Sequence, residues 1–392
     1  MKYTGVTARG ILTPIFQQGD NLIDEIVKSL INASEGEGFS LNDKDIVAVT
    51  EAVVGRTQGN YATCEQVAKA FSERFDSDEI GLVFPILSRN RFAILLKSFA
   101  MGAKKIYVQL SYPSDEVGNT FISIDDADEK GVNIHTDSFS EKEFRSIFGT
   151  NTKHTFTGVD YIDYYKSIND NIEIVFSNDP TYILNYTNDV LVCDIHTRFR
   201  TQKLLLKAGA NAFRLDEIMT ESINGSGYNP LFGLLGSNKA SEDRVKLFPI
   251  KTDQFVLDLQ NAIYEKTNKK LECMVYGDGG FKDPVGGIWE LADPVISPSY
   301  TSGLIGTPSE IKIKYVADDE FPHLSGEALS AALRDKIRDK RKDQPETIFS
   351  DGTTPRRYSD LIGSLCDLIS GSGDRGTPVV LIQNYFTDYA AE

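Results

Sequence analysis

Cysteine and histidine are scarce in this chain, and neither is spaced for metal chemistry. The four cysteines, Cys64, Cys193, Cys273 and Cys366, lie far apart and form no C-x-x-C pair. That argues against structural zinc and reads as buried thiols in a reducing cytoplasm. The four histidines, His135, His154, His196 and His323, show no H-x-x-x-H spacing. There is no G-x-S-x-G elbow, no Walker A lysine and no G-x-G-x-x-G at a strand–helix junction. No run of about 18 apolar residues suggests a membrane span. The start, Met1-Lys-Tyr-Thr-Gly5, lacks the apolar core of a signal peptide. Basic residues are also short: 41 Lys and Arg face 57 Asp and Glu, a net charge of −16. This argues against sequence-independent binding to nucleic acid or to an anionic membrane. It leaves room for an anionic nucleotide, because a local site with a metal overrides the global field.

What is present fits a soluble globular protein of more than one domain. The chain has 392 residues, 41% hydrophobic and 25% charged, which is long for a single core. Strand and helix signals alternate, so the expected class is α/β with mixed sheets. Thr7 to Ile15 reads as a strand ending at Pro14. Asp20 stands as N-cap of a helix from Leu22 to Asn32, and Asp45 to Val54 reads as a buried strand. Residues 81–225 read as an inserted unit of βα repeats, with 113–170 as loops and an irregular edge. Residues 1–80 and 226–392 would form the remaining core.

Several short stretches can carry chemistry. Tyr358 to Ile369 reads as a helix and Val379 to Ile382 as a strand. The loop between them holds Gly371, Gly373, Asp374 and Gly376. Glycines at that density let backbone N–H groups converge on an anion; a plain surface turn fits as well. In Gly277-Asp-Gly-Gly-Phe-Lys-Asp-Pro284, Asp278 stands just past an apolar strand. There it can hold a hard divalent cation or cap the loop amides. Asp283, Glu290 and Asp293 are further acids, the last two reading more readily as surface charge. Glu51 and Arg56 flank the end of the Asp45–Val54 strand, and an arginine there can neutralise phosphate.

These pieces, in order, resemble the glutamate ligases that extend the deazaflavin coenzyme F420 (the F420-0:glutamate ligase family). The likeness rests on Gly10-Ile-Leu-Thr-Pro-Ile-Phe-Gln-Gln-Gly-Asp-Asn-Leu22 and on Asp45 to Gly59, with Arg56 at the family's lysine position. It rests further on Gly277-Asp-Gly-Gly-Phe281 and on Ser370 to Ile382. The resemblance implies a GTP- (or other NTP-) dependent ligase that uses Mn²⁺ or Mg²⁺ and works as a homodimer. A small-molecule carboxylate would be activated as an acyl phosphate and attacked by the amine of an amino acid. It places Thr13, Pro14, Glu51, Arg56, Asn238, Gly371, Gly373, Asp374 and Gly376 at the nucleotide. Asp278 and Arg56 would be catalytic, and Asp278, Asp283 and Asp374 would bind metal. Two acids depart from the family pattern: its first metal aspartate falls on Leu235 or Gly236, and its C-terminal metal acid on Ser372. A non-catalytic binding protein on the same scaffold is therefore the alternative. A third reading treats the inserted unit as an enzyme domain centred on Asp194, His196 and Arg198.

Overall fold

The computed structural model describes residues 4–150, 152–154, 157–277, 281–282, 289–290, 296–308, 313–343, 356–370 and 375–387. The described strands, in chain order, are β1 (Thr7–Ile11), β2 (Ile46–Thr50), β3 (Tyr61–Thr63), β4 (Glu79–Val83), β5 (Lys105–Leu110) and β6 (Ser138–Ser140). They continue with β7 (Ile172–Ser177), β8 (Asp189–Val192), β9 (Asn211–Arg214), β10 (Asn238–Lys239) and β11 (Arg244–Lys246). Last come β12 (Glu272–Tyr276), β13 (Phe281–Lys282), β14 (Trp289–Glu290), β15 (Ser299–Tyr300) and β16 (Val379–Gln383). The fold is mixed α/β, as expected. It divides into unit 1 (1–54, 251–279, 295–392) and unit 2 (55–250, 280–294).

Unit 1 is built on a five-stranded sheet of order β1-β16-β2-β12-β15. Strand β16 is antiparallel to both neighbours, pairing Val379 with Ile11 on one side and with Val49 on the other. Strands β2 and β12 run parallel. Alternation sorts the side chains onto two faces. Val47, Val49, Cys273, Val275, Val379 and Leu381 pack with the buried sides of helices Leu22–Glu37 and Thr252–Thr267. Ile46, Ala48, Met274, Tyr276, Val380 and Ile382 pack under Ile362 and Cys366 of helix Tyr358–Ser370.

The N-terminal helix begins at Leu22, as expected, but its cap is Asn21 rather than Asp20. Asn21 accepts the Asp24 N–H at 3.4 Å, whereas Asp20 closes the preceding turn by accepting from Gln17 N at 2.6 Å. Strand β2 ends at Thr50, and Glu51–Gln58 is a helix. The β-branched run Ala52-Val-Val54 reads as strand in sequence but packs as one turn of helix.

Unit 2 is centred on a six-stranded sheet of order β6-β7-β5-β4-β8-β9, in which β6 alone is antiparallel. Counted from β4, the parallel strands run 3-2-1-4-5, the doubly wound arrangement. The stretch expected to be loops carries the edge strand β6 and the helices Ile124–Glu129, Glu141–Phe148 and Tyr161–Lys166. Serine and aspartate are common there because they cap these helices: Ser123 and Ser140 make capping boxes, and Asp160 caps Tyr161–Lys166.

Residues 55–80 and 226–250, expected with the core, pack in unit 2 instead. Two contacts explain this. Strand β3 joins β11 and β10 in a small antiparallel sheet. Helix Cys64–Ser72 lies on helix Phe92–Gly102, with the Phe71 and Phe99 rings 4.5 Å apart. All four cysteines are free and buried. Among the described residues no helix is long and apolar enough to cross a membrane.

Leu381 is fully buried on the two-helix face of unit 1. Leu381→Ala should cost about 2–5 kcal/mol of stability, read as a lower urea midpoint with a nearly unchanged slope.

Candidate functional site

The topology of unit 1 gathers four strand ends at one edge of its sheet. Strands β1, β2 and β12 finish there, and β16 starts there. Hydrogen bonds hold the connecting segments. Thr50 N donates to Pro378 O at 2.9 Å, and Gly277 N donates to Ile296 O at 2.7 Å. The Tyr276 hydroxyl, at the end of β12, donates to Ser370 Oγ at 2.7 Å in a buried bond. The glycine-rich loop is thus anchored twice, by Ser370 on β12 and by Pro378 on β2. Gly376 has φ +77°, with open space where a Cβ would be, so glycine there serves the backbone conformation rather than close packing.

The expected site residues divide between the units. Thr13 and Pro14 follow β1 in unit 1, where Thr13 Oγ1 donates to Pro14 O at 3.1 Å. Phe16 anchors that segment by burial, while Leu12 and Ile15 stand exposed. Glu51 opens the helix after β2 and is buried. A carboxylate in the first turn of a helix also suits the helix dipole. With Gly376, these residues lie at the gathered strand ends. Arg56 is exposed in the last turn of helix Glu51–Gln58, so with Glu51 it sits on a helix and not at a strand end. Asn238 is half-buried in β10, opposite Lys246 of β11. Both Arg56 and Asn238 belong to unit 2.

Asp278, Asp283, Asp293, Gly371, Ser372, Gly373 and Asp374 lie outside the described residues, and of Glu290 only the strand it occupies is described. Gly277 is described, and it fixes where the chain leaves β12 toward Asp278. Among the described residues no three His, Cys, Asp or Glu side chains are grouped to hold a metal.

The position expected for the family's first metal aspartate cannot take one. Leu234 and Leu235 are buried in the main apolar cluster of unit 2. Gly236 has φ +72°, and a Cβ on it would lie 1.8 Å from the Phe248 ring. Whichever of Leu235 and Gly236 is the equivalent position, a carboxylate there would displace core packing.

Two other buried carboxylates of unit 1, Asp45 and Glu272, are structural. Asp45 accepts from Asn42 N at 2.9 Å and Gln383 Nε2 at 2.7 Å. Glu272 accepts from Gly303 N at 3.1 Å and from the Thr301 hydroxyl. Both stand at the opposite end of the sheet from the gathered loops. The sequence reading missed the anchors Tyr276 and Ser370. The signal for them was available: Tyr276 continues the alternation of β12 onto the face covered by helix Tyr358–Ser370.

Once this geometry is set out, comparison with protein families is decisive. Residues 10–384 match the family described as F420-0:Gamma-glutamyl ligase. The chain belongs to this family. The match spans nearly the whole chain, including unit 2, and the family is one of amide-forming ligases. No curated protein matches the chain.

Gly236→Asp, made to restore the family's acid, should create no metal site and should destabilise unit 2 by several kcal/mol, through overpacking and φ strain. A melting temperature near that of the parent, together with tighter Mn²⁺ binding, would overturn this account.

In unit 2, Asp194 is 1% exposed. Burial pushes its pKa up to about 6, against the hydrogen bonds from Thr197 and Thr201, and the nearby Glu116 adds to the rise. A carboxyl group whose pKa is raised by folding destabilises the folded state once ionised. The loss sets in above the unfolded value near 3.8 and is complete above about 6. The stability of Asp194→Asn relative to the parent should therefore rise between pH 4 and pH 6 and level off above, as measured by thermal melts across that range.

Proposed function

We propose that this ligase forms an amide between an amino acid, glutamate by family, and a small-molecule carboxylate, at the gathered strand ends of unit 1. The single observation that carries the reading is the pair of bonds, Tyr276 to Ser370 and Thr50 to Pro378, that tie the residues flanking the glycine-rich stretch to β12 and β2. Converging backbone N–H groups favour a phosphate chain at such a place. In this reading an acceptor carboxylate oxygen attacks the terminal phosphorus of GTP or another NTP, and the nucleoside diphosphate leaves. The amine nitrogen then attacks the acyl carbon, loses a proton and expels inorganic phosphate. Gly371, Gly373 and Gly376 cradle phosphate, with Thr13, Pro14 and Glu51 alongside; Arg56 and Asn238 are assigned to the nucleotide by the family resemblance alone. Bound Mn²⁺ or Mg²⁺ would neutralise phosphate charge. Asp278, Asp283 and Asp374 are its proposed ligands, and the apolar packing at Leu235 and Gly236 leaves one acid of the family set without a counterpart. The protein would act as a cytoplasmic homodimer.

That same apolar packing favours a second reading, in which the scaffold binds a nucleotide without turnover. Thermal stability with GTP, ATP or GDP, each with and without Mn²⁺ or Mg²⁺, separates the two when paired with phosphate release. A ligand at a hundredfold excess over Kd adds about 2.7 kcal/mol. The ligase reading expects a metal-dependent shift with one triphosphate, phosphate release with a carboxylate acceptor, and loss of both in Asp278→Asn. A shift without turnover supports the binding protein. Activity unchanged in Asp278→Asn removes that residue from the mechanism.

A further inference from the structure

Unit 2 has a strand-end cluster that the ligase reading does not use. Its parallel sheet reverses its winding between β4 and β8, the place where open α/β sheets hold ligands. Asp194 follows β8 and is almost fully buried. Its Oδ2 accepts from Thr197 Oγ1 at 2.5 Å and Thr201 Oγ1 at 2.9 Å. Its Oδ1 is buried with no hydrogen-bond partner, an unusual state for a buried polar atom. A second acid, Glu116, reaches the same turn from the segment after β5. It accepts from Ile195 N at 2.5 Å and His196 N at 3.0 Å, and it stands near enough to Asp194 for their charges to interact.

An arginine pair is joined to this turn. Arg198 donates through Nη1 to Ile195 O, and Arg214 through Nη1 to Gln202 Oε1. Both share Asp216, through Arg198 Nε at 3.5 Å and Arg214 Nε at 2.8 Å. Each guanidinium lies 4.6 Å from the centre of the exposed Phe199 ring. Neither Nη2 makes a hydrogen bond to the described residues. His196 is exposed on the same turn and feels Arg198 and Asp194 with opposite sign.

We propose that this turn binds a small zwitterion, with a primary ammonium on Asp194 Oδ1 and a carboxylate or phosphate on the Arg198–Arg214 side. An ammonium brings three donors and no acceptor, so it satisfies Oδ1 and offsets the acid pair. Guanidinium groups match the oxygens of carboxylate and phosphate alike. Oδ1 is covered in the structure, and the exposed His196–Thr197 turn is the part that yields to admit the ligand. The site lies wholly within unit 2 and stands whether or not the ligase reading of unit 1 holds.

Calorimetric titration of the full chain tests this with β-alanine and O-phosphoethanolamine, and with methylammonium and inorganic phosphate as half-probes. At least one zwitterion should bind saturably, and which one binds identifies the anion as carboxylate or phosphate. Asp194→Asn should weaken that binding at least tenfold while keeping a cooperative melt. Glu116→Gln should weaken it in the same direction, as a second variant in case the first fails to fold. Arg198→Gln should weaken the zwitterion and spare methylammonium, and Asp278→Asn should change nothing. The proposal is overturned if neither zwitterion binds, if Asp194→Asn and Glu116→Gln bind as the parent does, or if inorganic phosphate alone binds as tightly as O-phosphoethanolamine.

Discussion

Unit 1 depends on β16 being inserted between β1 and β2. The last strand of the chain supplies the hydrogen-bond partners of the first two, and without it neither neighbour has a ladder on that side. The pairing also sets the site, because antiparallel register brings the start of β16 to the ends of β1 and β2. The entropic cost of such closure is modest. Loop closure scales with the logarithm of length, so a tenfold longer connection costs only about 2 kcal/mol more. That is how the whole of residues 55–250 can stand between the neighbouring parallel strands β2 and β12. A fully buried apolar strand such as Val379–Gln383 offsets the cost through its two packed faces.

Much of this architecture was legible in the sequence where pattern and structure share a cause. The strands at Lys105–Leu110 and Val379–Gln383 are short runs rich in apolar and β-branched residues, and burial on both faces requires that. Helix Glu51–Gln58 was not legible, because Ala-Val-Val suits a strand by propensity and only the tertiary setting turns it into helix. The limits of unit 2 were hidden for a different reason. They are set by Asn60, whose side chain donates to Phe248 O at 2.6 Å and Tyr228 O at 3.0 Å, and by pairing of β3 with β11. Local pattern carries no record of partners so distant in sequence.

The candidate site shows the same split. Glycine-rich loops and the Pro14 turn are local features, and the resemblance to the ligase family located them. The anchor between Tyr276 and Ser370 is a long-range side-chain bond, worth roughly 1 kcal/mol; its larger consequence is to fix where the loop begins. At Leu235 and Gly236 the family resemblance says only that an aspartate is missing. Packing against Phe248 adds why it cannot be put back: the space has become core.

Unit 2 poses the opposite problem, carboxylates retained where burial disfavours them. A buried polar atom left unpartnered costs about 1–3 kcal/mol, comparable to the effect of many single substitutions. Asp194 bears that cost through Oδ1, and the proximity of Glu116 increases it. Asp115, another buried acid of unit 2, is fully partnered: it accepts from the N–H groups of Leu87, Val117 and Asn119 and from the Asn119 amide. The contrast lies within unit 2, and it marks the turn after β8 as a place where folding stability and local charge are in conflict. Such conflicts concentrate where a protein meets a ligand. The arginine pair joined to the same turn gives the conflict a chemical direction, since acids and arginines gathered there complement a molecule that carries both charges itself.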